Sequence, residues 1–117
     1  MTRTQQDGQR SERQAEDWLQ SHNLILVARN HRCRQGEIDL IMRDGDTLVF
    51  IEVRLRRHTD FGGAIASVDR RKQQRLVTAA RHWLHRHPWE GPCRFDVIGL
   101  DGTREPVSYT HLTLPTI

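Results

Sequence analysis

The chain has 117 residues, 36% of them hydrophobic, which suits one domain with a modest core and leaves no room for two. This composition excludes a disordered chain, and no apolar run reaches the roughly 18 residues of a membrane-spanning helix. The formal net charge of +3 decides little, but arginines crowd into 54–57 and 70–75, as suits a polyanion such as nucleic acid. A solvated charged face is the alternative. Met1–Arg13 is polar and has no apolar stretch of the secretory kind. Cys33 and Cys93 form no C-x-x-C pair, so a reduced, cytoplasmic protein is expected, with no membrane partner.

Residues 1–10 read as a flexible N-terminus. Ser11 is a candidate N-cap for a helix to about His22, with Ala15, Trp18, Leu19 and His22 as its apolar stripe. Leu24–Ala28 reads as a first strand, and Asn30–Gln35 as a polar, basic loop. Gly36–Arg43 and Thr47–Arg56 read as two strands joined at Asp44-Gly45, a strong hairpin signal. Thr59–Ala66, with Gly62-Gly63, reads as a connection without the G-x-G-x-x-G or Walker context of a nucleotide loop. A long helix is predicted from Val68 or Asp69 to His87, with Leu76, Val77, Ala80, Trp83 and Leu84 inward and Pro88 as its stop. Cys93–Leu100 reads as a fourth strand, and Asp101-Gly102 as a turn. The order α-β-β-β-α-β predicts a mixed sheet flanked by helices, an α/β fold. The domain is expected over 11–106. Residues 107–117 change character, with no Asp, Glu, Lys or Arg, and are expected to be a non-native or disordered tail, or a short edge strand.

Asp39 and Glu52 stand among aliphatic residues inside strands, where a carboxylate is costly unless paired or bound to a metal. A two-residue turn at Asp44-Gly45 pairs Arg43 with Asp46, Ile41 with Leu48, Asp39 with Phe50 and Glu37 with Glu52. Side chains alternate along a strand, so Asp39, Glu52, Glu37 and Arg54 project to one side. Asp39 and Glu52 become diagonal neighbours, about 7–8 Å apart. A one-residue slip would send the two acids to opposite faces. Two carboxylates with water and phosphate oxygens suit Mg²⁺, and such a site can activate water for phosphodiester cleavage. Arg54 beside them can hold a phosphate by a bidentate contact. Glu12, at the edge of the first helix's stripe, is a candidate third carboxylate. The alternative is a structural ion-pair network with nearby arginines.

Four segments in order, Gly36-Glu-Ile-Asp-Leu-Ile41, Val49-Phe-Ile-Glu-Val-Arg-Leu-Arg-Arg57, Arg71-Lys-Gln-Gln-Arg-Leu76 and Cys93-Arg-Phe-Asp-Val97, resemble the YraN family. These are bacterial endonuclease-like proteins related to archaeal Holliday-junction resolvases of the PD-(D/E)xK class. The resemblance runs from about Ser11 to Leu100. It implies a restriction-endonuclease-like sheet, with Asp39 and Glu52 as the two acidic motif positions and Glu12 as the acid of the first helix. Mg²⁺ or Mn²⁺ is the implied cofactor, DNA the implied partner, and a homodimer is suggested by analogy with resolvases. One departure stands out: the motif lysine is Arg54, which stays protonated and makes a poor general base. Lys72, the only lysine in the chain, sits near the start of the long helix with Gln73.

The expected activity is therefore metal-dependent, structure-selective DNA cleavage. Asp39, Glu52 and Glu12 would hold the metal and Arg54 would assist at the phosphate. Arg56, Arg57, Arg71, Lys72, Gln73 and Arg75 would contact the nucleic-acid backbone. The alternatives are a non-catalytic nucleic-acid-binding protein on the same fold, or a structural or interaction protein. His82, His85 and His87 are assigned to the negative end of the helix dipole rather than to zinc, since no Cys or acid stands near them.

Overall fold

The computed structural model describes residues 3–55, 66–103, 105, 106 and 108–112, with N-terminal side chains from residue 8 onward. Its elements run α1 (Arg3–Ser21), β1 (Ile25–Cys33), β2 (Gly36–Asp44), β3 (Thr47–Leu55), α2 (Arg70–Arg86), β4 (Cys93–Leu100) and β5 (Ser108–Leu112). The predicted α-β-β-β-α-β order is present, with β5 added at its end. The strands form one sheet in the order β1-β2-β3-β4-β5. Neighbours are antiparallel except β3 and β4, which run parallel. A parallel pair cannot be closed by a tight turn, and the crossover carries α2.

The sheet has a core on each face. Leu48 and Phe50 of β3 pack with Ile41, Leu76, Ala80 and Trp83 on the α2 side. Val49 and Ile51 pack with Ala15, Leu19, Leu40 and Ile98 on the α1 side. β3 lies at the centre and is buried from Leu48 to Glu52, as its near-continuous apolar run requires for a strand covered on both faces.

Several expected boundaries move. α1 begins at Arg3, so Ser11 is a buried mid-helix residue and not a cap; the arginines and glutamines before it are good helix formers, and the helix carries Gly8 among them. β1 runs through the expected basic loop to Cys33. It is an edge strand, where Arg29 and Arg32 stay exposed while their backbones pair with β2. α2 keeps its expected bounds to within a residue or two. Asp69 caps it, accepting the Lys72 N–H at 2.8 Å, and His87 closes its end on the Trp83 carbonyl.

The β2–β3 turn lies at Gly45-Asp46, one residue later than predicted, and Asp44 pairs with Thr47. Gly45 has φ +58°, the left-handed geometry that a tight hairpin needs and that glycine adopts without strain. The register accordingly shifts by two: Phe50 faces Ile41 and not Asp39. An even shift preserves which residues share a face, so the inference that Asp39 and Glu52 project together survives the error. Glu37 does move, and pairs with Arg32 of β1.

Gly36 fixes how closely α2 approaches the sheet. A Cβ there would lie 2.4 Å from the Arg75 carbonyl oxygen, and the Arg75 Nε–H donates to the Gln35 carbonyl at 3.3 Å. Gly36→Ala must therefore push the first turns of α2 away from β2. The expected cost is about 1–3 kcal/mol, as for other overpacking changes, visible as a lower thermal midpoint. An unchanged midpoint would show that α2 is not seated by this contact.

Candidate functional site

β2 and β3 pair as far as Leu40 and Ile51. Beyond that point the Val53 N–H donates to the Asp39 side chain at 2.8 Å. A carboxylate thus takes a backbone donor at the place where the ladder stops, and the strands part around it. The same place is irregular on the other side. Ile38 and Ile41 both pack on the α2 side while Leu40 packs on the α1 side, so the alternation breaks at Asp39. Asn30 of β1, between the pairs Arg29–Leu40 and His31–Ile38, has φ +50°. Such local disruption re-aims side chains and is frequent beside active sites.

Glu52 follows Phe50 on the α2-facing side of β3 and is 5% exposed. Its carboxyl and that of Asp39 share a hydrogen bond. Two cations flank it. Lys72 Nζ, from the first turn of α2, is 3.4 Å from Glu52 Oε2, and Arg54 Nε is 3.6 Å from Oε1. Neither contact makes a hydrogen bond: Glu52 Oε2 and Arg54 Nε are both buried without one. Buried polar atoms are ordinarily satisfied, so these two stand apart from the other described polar side chains.

Burial, and then the Asp39 charge, push the Glu52 carboxyl up to about 8. Burial also raises Asp39, against the Val53 N–H and the Glu52 hydrogen bond, which lower it. Glu12 is half-buried on α1. Burial and Asp39 raise it to about 7, against a hydrogen bond with Asn30. Three acids thus crowd one region and resist ionising together, a pattern typical of functional sites. Among the described residues no group of three His, Cys, Asp or Glu converges closely enough to hold a metal ion. The geometry therefore supports a two-carboxylate site at Asp39 and Glu52, with Glu12 as a neighbour of Asp39.

The remaining sequence candidates divide. Arg71 is exposed near the start of α2. Gln73 donates to the Val68 carbonyl at 3.0 Å and Arg75 to that of Gln35, so both hold α2 to its surroundings. Arg56, Arg57 and Gly62-Gly63 lie outside the described residues. His82 meets His31 of β1 at 3.0 Å, a contact between elements that helix position alone did not suggest. The sequence reading also passed over Asp96 of β4. It is 1% exposed, yet Arg94, the Tyr109 hydroxyl and His111 all reach its carboxylate. Asp96 is satisfied where Glu52 is not, and it lies on the opposite face from Glu52, beside Ile98 and Leu100. It belongs to the packing of β4 on β5.

Fold and site together define an α/β protein whose central strands part around an acid pair, one member buried, flanked by one lysine and one arginine. The chain belongs to the YraN/UPF0102 family: residues 11–100 match the profile of "Uncharacterised protein family UPF0102". Similar proteins, each called a UPF0102 protein, occur in Alcanivorax borkumensis (55% identical over 96 residues, 80% of this chain and 77% of that one) and Nitrosomonas eutropha (52% over 105 residues, 90% of each). A third, from Pseudomonas putida, is 55% identical over 98 residues, covering 82% of this chain and 80% of its own. No helix among the described residues is long and apolar enough to cross a membrane.

The raised acids set a pH dependence. An acid whose pKa is higher folded than unfolded holds its proton longer in the folded state. Its stabilising contribution is full below the unfolded value and drains as pH rises through the folded one. For Glu52 that window runs from 4.5 to about 8. In EDTA, wild type is expected to lose thermal stability relative to Glu52→Gln between the two ends of this window. Parallel midpoint curves for the two proteins would show that Glu52 is not strained by ionisation.

Proposed function

We propose that the protein is a metal-dependent, structure-selective DNA endonuclease, with Asp39 and Glu52 holding Mg²⁺ or Mn²⁺. The observation that carries this reading is the buried Glu52 oxygen that lacks a hydrogen bond although Lys72 Nζ stands 3.4 Å away. A second carboxyl is hydrogen-bonded to the same group. A hard divalent cation would satisfy that oxygen and relieve the repulsion that keeps the pair from ionising.

A bound cation would supply Lewis acidity at the phosphodiester and an activated water. The chain's own residues do the rest. Asp39 is held in place by the Val53 N–H. Arg54, always charged, presents a fixed guanidinium to the negative charge that grows as the water oxygen bonds to phosphorus and one P–O ester bond breaks. Lys72 brings a compact ammonium to the other Glu52 oxygen, and its flexible stem lets it reach a phosphate oxygen or the attacking water. The motif lysine replaced by Arg54 thus has a counterpart delivered from α2. The departure at Arg54 favours a second reading, a non-catalytic DNA-binding protein on the same fold; the Lys72 contact argues against it.

The test is cleavage of junction, flap and single-stranded DNA with Mg²⁺ or Mn²⁺. Asp39→Asn is expected to abolish cleavage while the protein stays folded. Lys72→Ala is expected to lower the rate by about 10²-fold or more, in the range of losing one positioned charge-stabilising group, and Arg54→Lys to leave most of it. Binding in EDTA without cleavage under any divalent ion would support the second reading. Cleavage by Asp39→Asn at the wild-type rate would remove the proposed site.

A further inference from the structure

On the α1 side of the sheet, near Asp39, lies a cleft of about 650 Å³. That volume is within the range of small-ligand sites, roughly 300–1,000 Å³. It opens between α1 and β1, and its lining includes Gln9, Arg10, Glu12, Arg13, Arg29 and Asn30. None of the sequence-derived nucleic-acid contacts falls in it. It nonetheless reaches toward Asp39. Glu12 lines it and acts electrostatically on Asp39, Leu40 beside Asp39 forms part of its wall, and Asn30 stands across β1–β2 from Asp39.

The cleft carries an excess of cationic donors. Arg29 is spent on Glu16, which it meets through Nε and a second nitrogen at 2.5 and 2.8 Å. That bidentate pair braces β1 against α1. Arg10 and Arg13 remain, exposed on the rim, together with the side-chain amide of Gln9, while Asn30 is engaged with Glu12. Guanidinium and amide donors fit phosphate and sugar oxygens. Among the described residues no aromatic side chain lines the cleft, so these offer no surface on which a base could stack.

We propose that this α1–β1 cleft is a backbone subsite that takes the phosphate and sugar of an unpaired nucleotide next to the scissile bond, without reading its base. The inference rests on the nuclease reading above and names its substrate: a strand that leaves the duplex at the cut, as at a flap, a junction or a frayed end. Arg10 and Arg13 grip the phosphate. The duplex side is left to the opposite flank of the acid pair, where Arg71 and Lys72 stand on α2. Structure selectivity then follows from the two flanks, because only a strand that leaves the duplex engages both.

The probe is a short oligothymidylate titrated into the ¹⁵N-labelled full chain without metal, followed by amide shifts. Shifts are expected at Gln9, Arg13 and Asn30. The double variant Arg10→Ala/Arg13→Ala, both exposed positions, is expected to keep its spectrum dispersed. It should bind about tenfold or more weakly, as expected for lost charge-assisted hydrogen bonds. Oligoadenylate should bind as well as oligothymidylate. No shift in the cleft, or equal binding by the double variant, overturns the subsite. Cleavage separates the two claims. If Asp39→Asn is inactive while the double variant binds and cuts flap DNA like wild type, the subsite falls and the nuclease reading stands. If Asp39→Asn cuts normally while the oligothymidylate still fills the cleft, the nuclease reading falls and the binding site stands.

Discussion

Two carboxyls share a hydrogen bond where β2 and β3 separate, and the rest of the site is arranged around that crowding. Burial raises both, and the Asp39 charge raises Glu52 further. The sheet tolerates this because the Val53 N–H is turned onto Asp39 and because Lys72 and Arg54 bracket Glu52. It does not remove the strain, since one Glu52 oxygen and one Arg54 nitrogen stay buried without a hydrogen bond. Asp96 shows what a structural solution looks like in the same sheet: an acid equally deep, with its partners all around it. The contrast singles out Glu52 as the group under tension.

That arrangement depends on the fold through two seams. One is the hairpin at Gly45-Asp46, which sets the register of β2 against β3. The other is the contact of Gly36 with the Arg75 carbonyl, which brings α2 close enough for Lys72 to reach Glu52. The Asp69 cap starts the helix at the right residue, with Lys72 in the first turn. A lysine so placed joins Arg54 in giving the acid pair two cationic partners.

Much of this was legible in the sequence. The strands β2, β3 and β4 and helix α2 stood out because their apolar spacing and their glycine, proline and aspartate boundaries agree. The shared facing of Asp39 and Glu52 was legible even though the turn was misplaced by one residue, because side-chain facing has period two and the register moved by two. The length of β1 and the start of α1 were not legible. Edge strands and exposed helices carry polar residues that read as loop. Nor could spacing show that Asp39 takes a backbone donor, that Asn30 adopts a left-handed conformation, or that Gln73 and Arg75 anchor α2. Those depend on contacts between elements far apart in the chain.

The central claim is that Asp39 and Glu52 form one divalent-cation site. Its most direct measurement is a Mn²⁺ titration followed by electron paramagnetic resonance, which reports free ion, for wild type, Asp39→Asn and Glu52→Gln near neutral pH. The account predicts one saturable site in wild type that either substitution abolishes, with both variants still folded by circular dichroism. Equal Mn²⁺ binding by all three proteins, or none by wild type, would contradict it.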